Sequence, residues 1–365
     1  MSSSSFRFRL TELLSPPSSS SQSIVQCLKE RSFAVIEIDD AAGDPQCGFL
    51  HADELAAMRR WEGLARDKFS LGDDEKALSE YRSERGVMVG YRREDTREFF
   101  ESRIGHDGEV EPAYLGDDEH TFLRLYSLYS KLAGLVLARV ATSLGIDCRE
   151  ITDLTDLNPD YIDSLKQGRS GSLAQTVLHP HISSDGSELS SSLLRVCKYP
   201  TSDAADARVS FGAHTDTSFV TLGLASGTSG LEMLDRQRMR WEGVEAGSGS
   251  DMVVFTGEFL QVLSRGAFEA AAHRVVARSS ERISCPFIVR GRARAVINVT
   301  SSSSHGGDEQ GDEQGEEGGA VFNGVTMKLL HGILDAKRKR CLNAHRDASL
   351  PWVLSAYPME CPPHD

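Results

Sequence analysis

The sequence predicts a mainly β fold with flanking helices, and the evidence is a change in the spacing of apolar residues along the chain. In the second half, short apolar stretches are separated by glycine, serine and charged residues, without helical spacing between them. Many short strands that follow one another without helices are typical of a β-sandwich or barrel. The predicted strands are residues 193–199, 219–224, 231–234, 252–256, 273–277, 283–289 and 295–299.

Helices are predicted on both sides of this β-rich segment. Residues 121–144 carry apolar side chains at steps of three and four, which favours one long amphipathic helix, and Gly145 follows as its C-cap. The other predicted elements are helices at 52–69 and 325–341, a helix followed by a buried strand within 23–40, and a strand pair at 86–91 and 97–104.

Composition divides the chain into five segments. The first is serine-rich, and the fourth combines serine, glycine and acidic residues with almost no apolar side chain, so neither has the material for a core. The predicted segments are a disordered tail at 1–22, a helical and strand region packed on the core at 23–190, the β core at 191–300, a disordered acidic insertion at 301–320, and a C-terminal helix with its tail at 321–365.

Charge and composition exclude several classes of partner. The chain has 40 Lys and Arg against 54 Asp and Glu, a formal charge of -14, which repels nucleic acid and anionic lipid surfaces. No apolar run is long enough to span a membrane, and the seven cysteines include no CxxC pair, as expected in a reducing compartment. We therefore expect a cytoplasmic monomer that acts on a small molecule. An organelle transit peptide within residues 1–23 is the alternative for its localisation.

A histidine and an aspartate lie two residues apart at the mouth of a predicted strand. Residues i and i+2 of an extended chain face the same side, so His214 and Asp216 can converge on one point. His273, at the start of a later strand, is the candidate third ligand. Two imidazoles and one carboxylate leave three adjacent positions of an octahedral ion open, as in iron(II) oxygenases, whereas structural zinc sites are closed, usually by cysteine. The sequence thus predicts a metal site at His214, Asp216 and His273.

Arg282 and Ser284 form a second pair with strand spacing. A guanidinium fork beside a hydroxyl suits the distal carboxylate of a dicarboxylic acid, because the contact can be bidentate and charge-assisted. His179 and His181 offer two further imidazoles. The proline between them and the polar residues around them favour an exposed loop near a substrate entrance rather than a pair of ligands.

These motifs, in this order, resemble the isopenicillin N synthase-like family of 2-oxoglutarate/iron(II) dioxygenases, which includes many plant-type hydroxylases and desaturases. The matching phrases are His214-x-Asp216, Gly230-Leu231-Glu232-Met233-Leu234, Trp241, His273-Arg274-Val275-Val276, Arg282-Ile283-Ser284-x-Pro286-Phe287 and the strand Leu194-Arg195-Val196-Cys197-Lys198-Tyr199-Pro200. The resemblance implies a double-stranded β-helix (jelly-roll) core with a helical N-terminal region and a C-terminal helix.

The resemblance also implies a role for each candidate side chain. It implies iron(II) bound by His214, Asp216 and His273, and 2-oxoglutarate bound through its C5 carboxylate by Arg282, Ser284 and Tyr199. Iron(II), 2-oxoglutarate and O2 would then hydroxylate or desaturate a small organic molecule, while 2-oxoglutarate is decarboxylated to succinate.

The chain departs from the family at Cys197, among other places, and two other functions stay open at this point. Cys197 stands where the family usually has an asparagine near the co-substrate, which removes one polar contact. The first alternative is an iron(II) oxidase on the same fold that does not consume 2-oxoglutarate, in which Arg282 and Ser284 hold the substrate's own carboxylate. The second is a non-catalytic module that binds a small acid.

Overall fold

The computed structural model of the protein describes residues 6–14, 23–38, 49–84, 87–105, 110–111, 119–157, 189–201, 209–245, 251–297 and 324–344. Its helices are α1 (Leu10–Leu14), α2 (Ile24–Arg31), α3 (Ala52–Ser70), α4 (Asp73–Ala77), α5 (Glu119–Leu144), α6 (Cys148–Thr152), α7 (Glu258–Leu263) and α8 (Met327–Ala344). Its strands are β1 (Arg7–Arg9), β2 (Phe33–Glu37), β3 (Arg82–Glu84), β4 (Val87–Glu94), β5 (Arg97–Ile104), β6 (Val110–Glu111), β7 (Leu193–Tyr199), β8 (Val209–His214), β9 (Val220–Leu224), β10 (Leu231–Asp235), β11 (Arg240–Gly243), β12 (Asp251–Thr256), β13 (His273–Val276), β14 (Arg282–Ser284), β15 (Pro286–Val289), β16 (Val296–Ile297) and β17 (Val325–Thr326).

Two sheets form the centre of the fold. In the described residues, the major sheet runs in the order β1-β2-β12-β9-β15-β7-β5-β4-β3, with β14 also paired to β7, and the minor sheet runs β11-β10-β13-β8. Buried apolar side chains from both sheets pack together, among them Phe33 and Val253 of the major sheet and Met233 of the minor sheet. The predicted mainly β fold with a jelly-roll core is confirmed.

The N-terminal region supplies strands to the core as well as helices that cover it. Strand β2 pairs with β12, and β5 pairs with β7, so both ends of the major sheet are extended by residues from the first third of the chain. The predicted region that packs on the core is therefore partly continuous with it, because edge strands of the core leave backbone groups that another strand can pair.

The long helix α5 is fastened to the major sheet through one tyrosine. The ring of Tyr129 stacks on Phe287 at 5.6 Å between centroids, and its hydroxyl donates to the Cys285 carbonyl at 2.5 Å. The same hydroxyl accepts from the Leu224 amide at 3.1 Å. A helix that was predicted from its apolar stripe alone thus covers β9 and β15, behind the strands that carry the candidate site.

Two predictions about segments are corrected by the structure. Part of the predicted disordered tail at 1–22 is ordered: β1 pairs in parallel with β2, and Phe8 and Leu10 are buried. Arg7 also forms ion pairs with Glu37 and Asp251. The prediction was wrong here because the segment is mostly serine and its few apolar residues were not weighed. These residues are enough to pack a short strand against the edge strand β2 of the major sheet.

The second correction concerns the β-rich segment, which was predicted to lack helices. Helix α7 follows β12 directly, with Phe259 and Leu260 buried in the core. At six residues it is too short for its apolar spacing to be distinguished from a buried strand.

The remaining expectations concern thiols, membranes and residues outside the described ranges. Cys27, Cys148, Cys197 and Cys285 are buried thiols, as a reducing compartment would allow. No helix in the described part of the chain is both long and apolar enough to cross a membrane. The predicted insertion at 301–320 and the histidines at 179 and 181 lie outside the described residues.

Candidate metal centre and adjoining pocket

Strand pairing brings the two candidate histidines together. His214 is the last residue of β8, and His273 is the first residue of β13. The two strands are antiparallel, and their register places His273 directly opposite His214. Asp216 follows β8 after one intervening residue, so all three side chains meet at one end of the minor sheet.

The three side chains have the spacing of a metal centre. Their candidate ligand atoms all lie within 4.8 Å of one another, and no other such group of three occurs among the described residues. Asp216 Oδ1 is 3.7 Å from His214 Nε2 and 3.9 Å from His273 Nε2. The predicted convergence of these residues, which lie far apart in the sequence, is therefore present in the structure.

Hydrogen bonds to backbone carbonyls orient the two imidazoles of the cluster. His214 Nδ1 lies 2.9 Å from the Gly212 carbonyl, and His273 Nδ1 lies 3.2 Å from the Ala271 carbonyl. Since a carbonyl can only accept, each Nδ1 donates to its carbonyl, and each Nε2 is the ring nitrogen nearest the Asp216 carboxylate.

The carboxylate is oriented in the same way. Thr221 donates to Asp216 Oδ2 at 2.7 Å, which leaves Oδ1 facing the two histidines. Burial alone would raise the pKa of Asp216, but His273, His214 and the Thr221 hydrogen bond hold that pKa below its ordinary value. Asp216 is thus ionised at neutral pH, and the set of two nitrogens and one carboxylate oxygen suits iron(II).

A buried glutamate on α7, which sequence reasoning missed, clamps the loop that carries the aspartate. Glu258 accepts from Thr215 and from Thr217, each at 2.7 Å, and its own amide donates to the Asp216 carbonyl at 2.9 Å. The side chain of Glu258 is completely buried. Each of the two threonines that flank Asp216 therefore bonds one carboxylate oxygen, which fixes the loop between β8 and β9.

Glu258→Ala should weaken iron(II) binding by about 10- to 100-fold, the range for losing a partner that orients metal ligands. Anaerobic titration with iron(II) measures the change. Glu258→Gln keeps the shape and one acceptor oxygen, so we expect a smaller loss in that variant. Equal affinities in Glu258→Ala and the native protein would show that the loop holds its position without the clamp.

A pocket adjoins the metal cluster and contains the predicted co-substrate anchor. It lies between the two sheets and is partly open to solvent. Strand β14 pairs with β7 so that Arg282 lies opposite Tyr199, and Ser284 lies opposite Cys197. All four residues line the pocket together with the three metal-site residues.

The anchor is polar but almost completely buried. The side chain of Ser284 hydrogen-bonds the Tyr199 hydroxyl, and the Arg282 guanidinium lies 5.3 Å from the centroid of the Tyr199 ring. Burial raises the pKa of Tyr199 to about 12, so the hydroxyl is protonated at neutral pH. The predicted cluster of Arg282, Ser284 and Tyr199 is therefore assembled on the major sheet, facing the metal ligands on the minor sheet.

Sequence reasoning missed the acidic partner of the anchor. Glu245 accepts from Arg282 Nη2 at 2.5 Å and from Arg282 Nε at 3.2 Å. Burial alone would lower the pKa of Arg282, but Glu245 raises it above its ordinary value. The guanidinium fork that was predicted to bind a dicarboxylate is thus already occupied on one edge, and Nη1 is the buried nitrogen left without a partner among the described residues.

Other lining residues were also missed, although one signal for them exists. Arg195, Cys197 and Tyr199 alternate along β7, and all three line the pocket, so the period of two from Tyr199 identifies Arg195. Arg97 lines the pocket from β5, with its guanidinium 3.9 Å from the Phe211 ring centroid. Cys197 is buried in the wall of the pocket.

Comparisons with known proteins agree with this geometry. The profile of the 2OG-Fe(II) oxygenase superfamily matches residues 190–291, the stretch that carries β7 to β15 and every predicted site residue. Residues 190–291 thus carry the pattern of the 2OG-Fe(II) oxygenase superfamily. The resemblance read from the His-x-Asp, His and Arg-x-Ser motifs is confirmed.

Relatives of known name match a little over a quarter of the chain. A "2-oxoglutarate-Fe(II) type oxidoreductase" of Aspergillus fumigatus is 38% identical over 101 residues, which cover 27% of this chain and 30% of the relative. "Gibberellin 3-beta-dioxygenase 1" of Oryza sativa is 34% identical over 103 residues, which cover 28% of this chain and 27% of the relative. The matched part thus spans less than a third of each relative's length.

Solved structures of this superfamily share the fold over a longer part of the chain. A 2OG-Fe(II) oxygenase family protein from Caulobacter crescentus superposes with a TM-score of 0.59 at 20% identity, over 90% of this chain and 98% of that one. The 2-oxoglutarate complex of dioxygenase for auxin oxidation 1 from Arabidopsis thaliana gives a TM-score of 0.52 at 14% identity, over 78% and 92%. Identities this low show the fold alone.

Proposed function

We propose that the protein is a 2-oxoglutarate- and iron(II)-dependent dioxygenase that hydroxylates or desaturates a small organic molecule. The observation that carries this proposal is the meeting of His214, Asp216 and His273 at one wall of a pocket. On the opposite sheet, buried Arg282 lines the same pocket, and its Nη1 has no hydrogen-bond partner among the described residues. A metal centre and an anchor for a dicarboxylate are what the joint use of iron and 2-oxoglutarate requires.

The chemistry of the site is divided between the bound groups and the protein. When bound, iron(II) would activate O2, which is the oxidant, and 2-oxoglutarate would supply two electrons on its conversion to succinate and CO2. Arg282 Nη1 and the Ser284 hydroxyl bind the C5 carboxylate, next to Tyr199. Apolar side chains line the pocket and limit the access of water to the reacting atoms, among them Leu231, Phe255 and Val275.

Anaerobic addition of iron(II) and 2-oxoglutarate should produce the visible charge-transfer band of the metal chelate. His214→Ala should abolish this band, because His214 supplies one of only three protein ligands. His120→Ala, which removes an exposed histidine from α5, is the matched control and should keep the native band. A band that persists in His214→Ala would contradict the assignment of the metal centre.

Succinate formation tests whether 2-oxoglutarate is consumed. A screen of small organic molecules with O2, read out as succinate, should reveal substrates that stimulate its formation. Oxygen-dependent product without succinate would indicate a 2-oxoglutarate-independent oxidase instead. Failure of the purified protein to bind iron(II) would indicate a non-catalytic binding module.

A further inference from the structure

The carboxylate of Glu245 joins the co-substrate anchor to the backbone of the minor sheet. One edge of Arg282 donates to it through Nη2 and Nε, at 2.5 and 3.2 Å. The amides of Gly230 and Leu231 both donate to Oε2 at 2.9 Å. Glu245 is therefore a fully bonded counter-ion whose position is set by the strand that begins at Leu231.

The ion pair is buried on both sides. The side chains of Arg282 and Glu245 are 5% and 2% exposed. Water screens such a pair weakly, so the charge of Arg282 is balanced inside the protein before any ligand arrives. Gly230 allows the close approach, since a Cβ atom there would lie 2.7 Å from Arg282 Cδ.

A ligand can therefore bond only one nitrogen of the Arg282 guanidinium, Nη1, and not two nitrogens at once. Nη1 of Arg282 is buried and has no hydrogen-bond partner in the described residues. The Ser284 hydroxyl lies on the same side of β14, two residues away, and also lines the pocket. A carboxylate in the pocket can thus bond Nη1 and a serine hydroxyl, but it cannot displace Glu245 from the other edge without leaving a buried carboxylate unpaired.

The balance of charge makes this anchor weaker than an arginine alone. Arg282 and Glu245 sum to zero, so this pair by itself offers no net positive charge to an arriving carboxylate. At the effective dielectric of buried protein sites, a unit charge on the far side of one guanidinium changes a binding constant by about one to two orders of magnitude. Glu245 therefore lowers the affinity of the site for any carboxylate that binds at Nη1 of Arg282.

We propose that Glu245 is a specificity-determining residue that pre-pairs Arg282 and so weakens the preference of the site for 2-oxo acids with a charged tail. The inference rests on the proposed function, in which 2-oxoglutarate binds at this anchor. A weakened anchor also favours release of succinate, because succinate carries the carboxylate that was the distal group of 2-oxoglutarate.

The test compares two 2-oxo acids that chelate iron alike and differ at the anchor. 2-Oxoglutarate ends in a carboxylate, whereas 2-oxovalerate ends in a methyl group. Anaerobic titration of the iron(II)-loaded protein, followed by the chelate absorption band, gives a Kd for each acid. The ratio of the 2-oxovalerate Kd to the 2-oxoglutarate Kd isolates the anchor, because damage to the metal centre or the fold affects both acids.

Glu245→Gln should raise this ratio about tenfold, through tighter binding of 2-oxoglutarate and unchanged binding of 2-oxovalerate. Arg282→Gln should bring the ratio close to one. Glu242→Gln is the matched control, since Glu242 pairs with Arg31, Arg238 and Arg240 and does not line the pocket. This control should keep the native ratio.

Three results would overturn the inference. An unchanged or lower ratio in folded Glu245→Gln would show that the pair is only structural. If that variant does not fold, the native protein still provides the test. A single charge-assisted contact predicts a native ratio of no more than about a hundredfold, and a larger ratio would contradict an anchor with one free nitrogen. Absence of the band with both acids in the native protein would remove the proposed function and this inference with it.

Discussion

Asp216→Ala should lower the affinity for iron(II) by about a hundredfold or more and abolish succinate formation. The aspartate is the only anionic member of the cluster, and its carboxylate is ionised because the two histidines and Thr221 lower its pKa against the effect of burial. Loss of residues that merely orient metal ligands costs about 10- to 100-fold, so loss of the ligand itself should cost at least the upper end of that range. Anaerobic titration with iron(II) measures the affinity directly.

Two further variants make this a graded test. Thr221→Val removes the hydrogen bond to Asp216 Oδ2 and leaves the ligand in place, so we expect an intermediate loss of about tenfold. Asp67→Ala removes an exposed aspartate from α3 and should bind iron(II) like the native protein. If Asp216→Ala bound iron(II) as tightly as Asp67→Ala, the metal centre would lie elsewhere in the chain.

Glu101→Ala should reduce the free energy of unfolding by about 3–5 kcal/mol, the usual result of removing one partner from a buried ion pair. The Glu101 side chain is 1% exposed and bonds Arg103 at 2.7 Å and Arg195 at 2.6 Å. Its removal leaves two largely buried guanidinium groups without their carboxylate. Urea unfolding measures the loss, and Asp73→Ala is the control. Asp73 pairs with Arg93 where both side chains are more than half exposed, so its contribution should stay below about 1 kcal/mol.

The same carboxylate predicts a dependence of stability on pH. Burial alone would raise the pKa of Glu101, but Arg195 and Arg103 outweigh it and hold the folded-state pKa below the ordinary 4.5. A depressed folded-state pKa contributes stability that is present above the unfolded-state pKa and is lost as the pH falls through the folded-state pKa. The native protein should therefore lose stability below about pH 4.5 more steeply than Glu101→Ala. Parallel losses in the two proteins would show that other carboxylates control acid unfolding.

Much of the candidate site could be predicted because its residues lie in short-range patterns. His214 and Asp216 are two residues apart, as are Arg282 and Ser284, and each pair faces one side because side chains alternate along an extended chain. The main elements of the fold were predicted for a similar reason. Apolar residues recur every three or four positions along α5, and they form short runs in β7, β9, β10 and β12. Both patterns follow from the geometry of the local backbone, so they can be recognised in the sequence.

The carboxylates that control the site could not be predicted in the same way. Glu245 pairs with Arg282 across 37 residues, and Glu258 bonds Thr215 across 43. Nothing in the local sequence distinguishes these two glutamates from the many that lie on the surface. Their partners were set when the two sheets packed together and removed all four side chains from water.

The sequence by itself determined which residues can bind a metal and which sheet faces they share, because strand geometry acts over two or three residues. Only the tertiary structure decided that His273 lies opposite His214, that α7 clamps the aspartate loop, and that Arg282 meets the pocket with a single free nitrogen. Buried charges need partners wherever the chain can supply them, and the choice of partner depends on packing between strands that are distant in sequence.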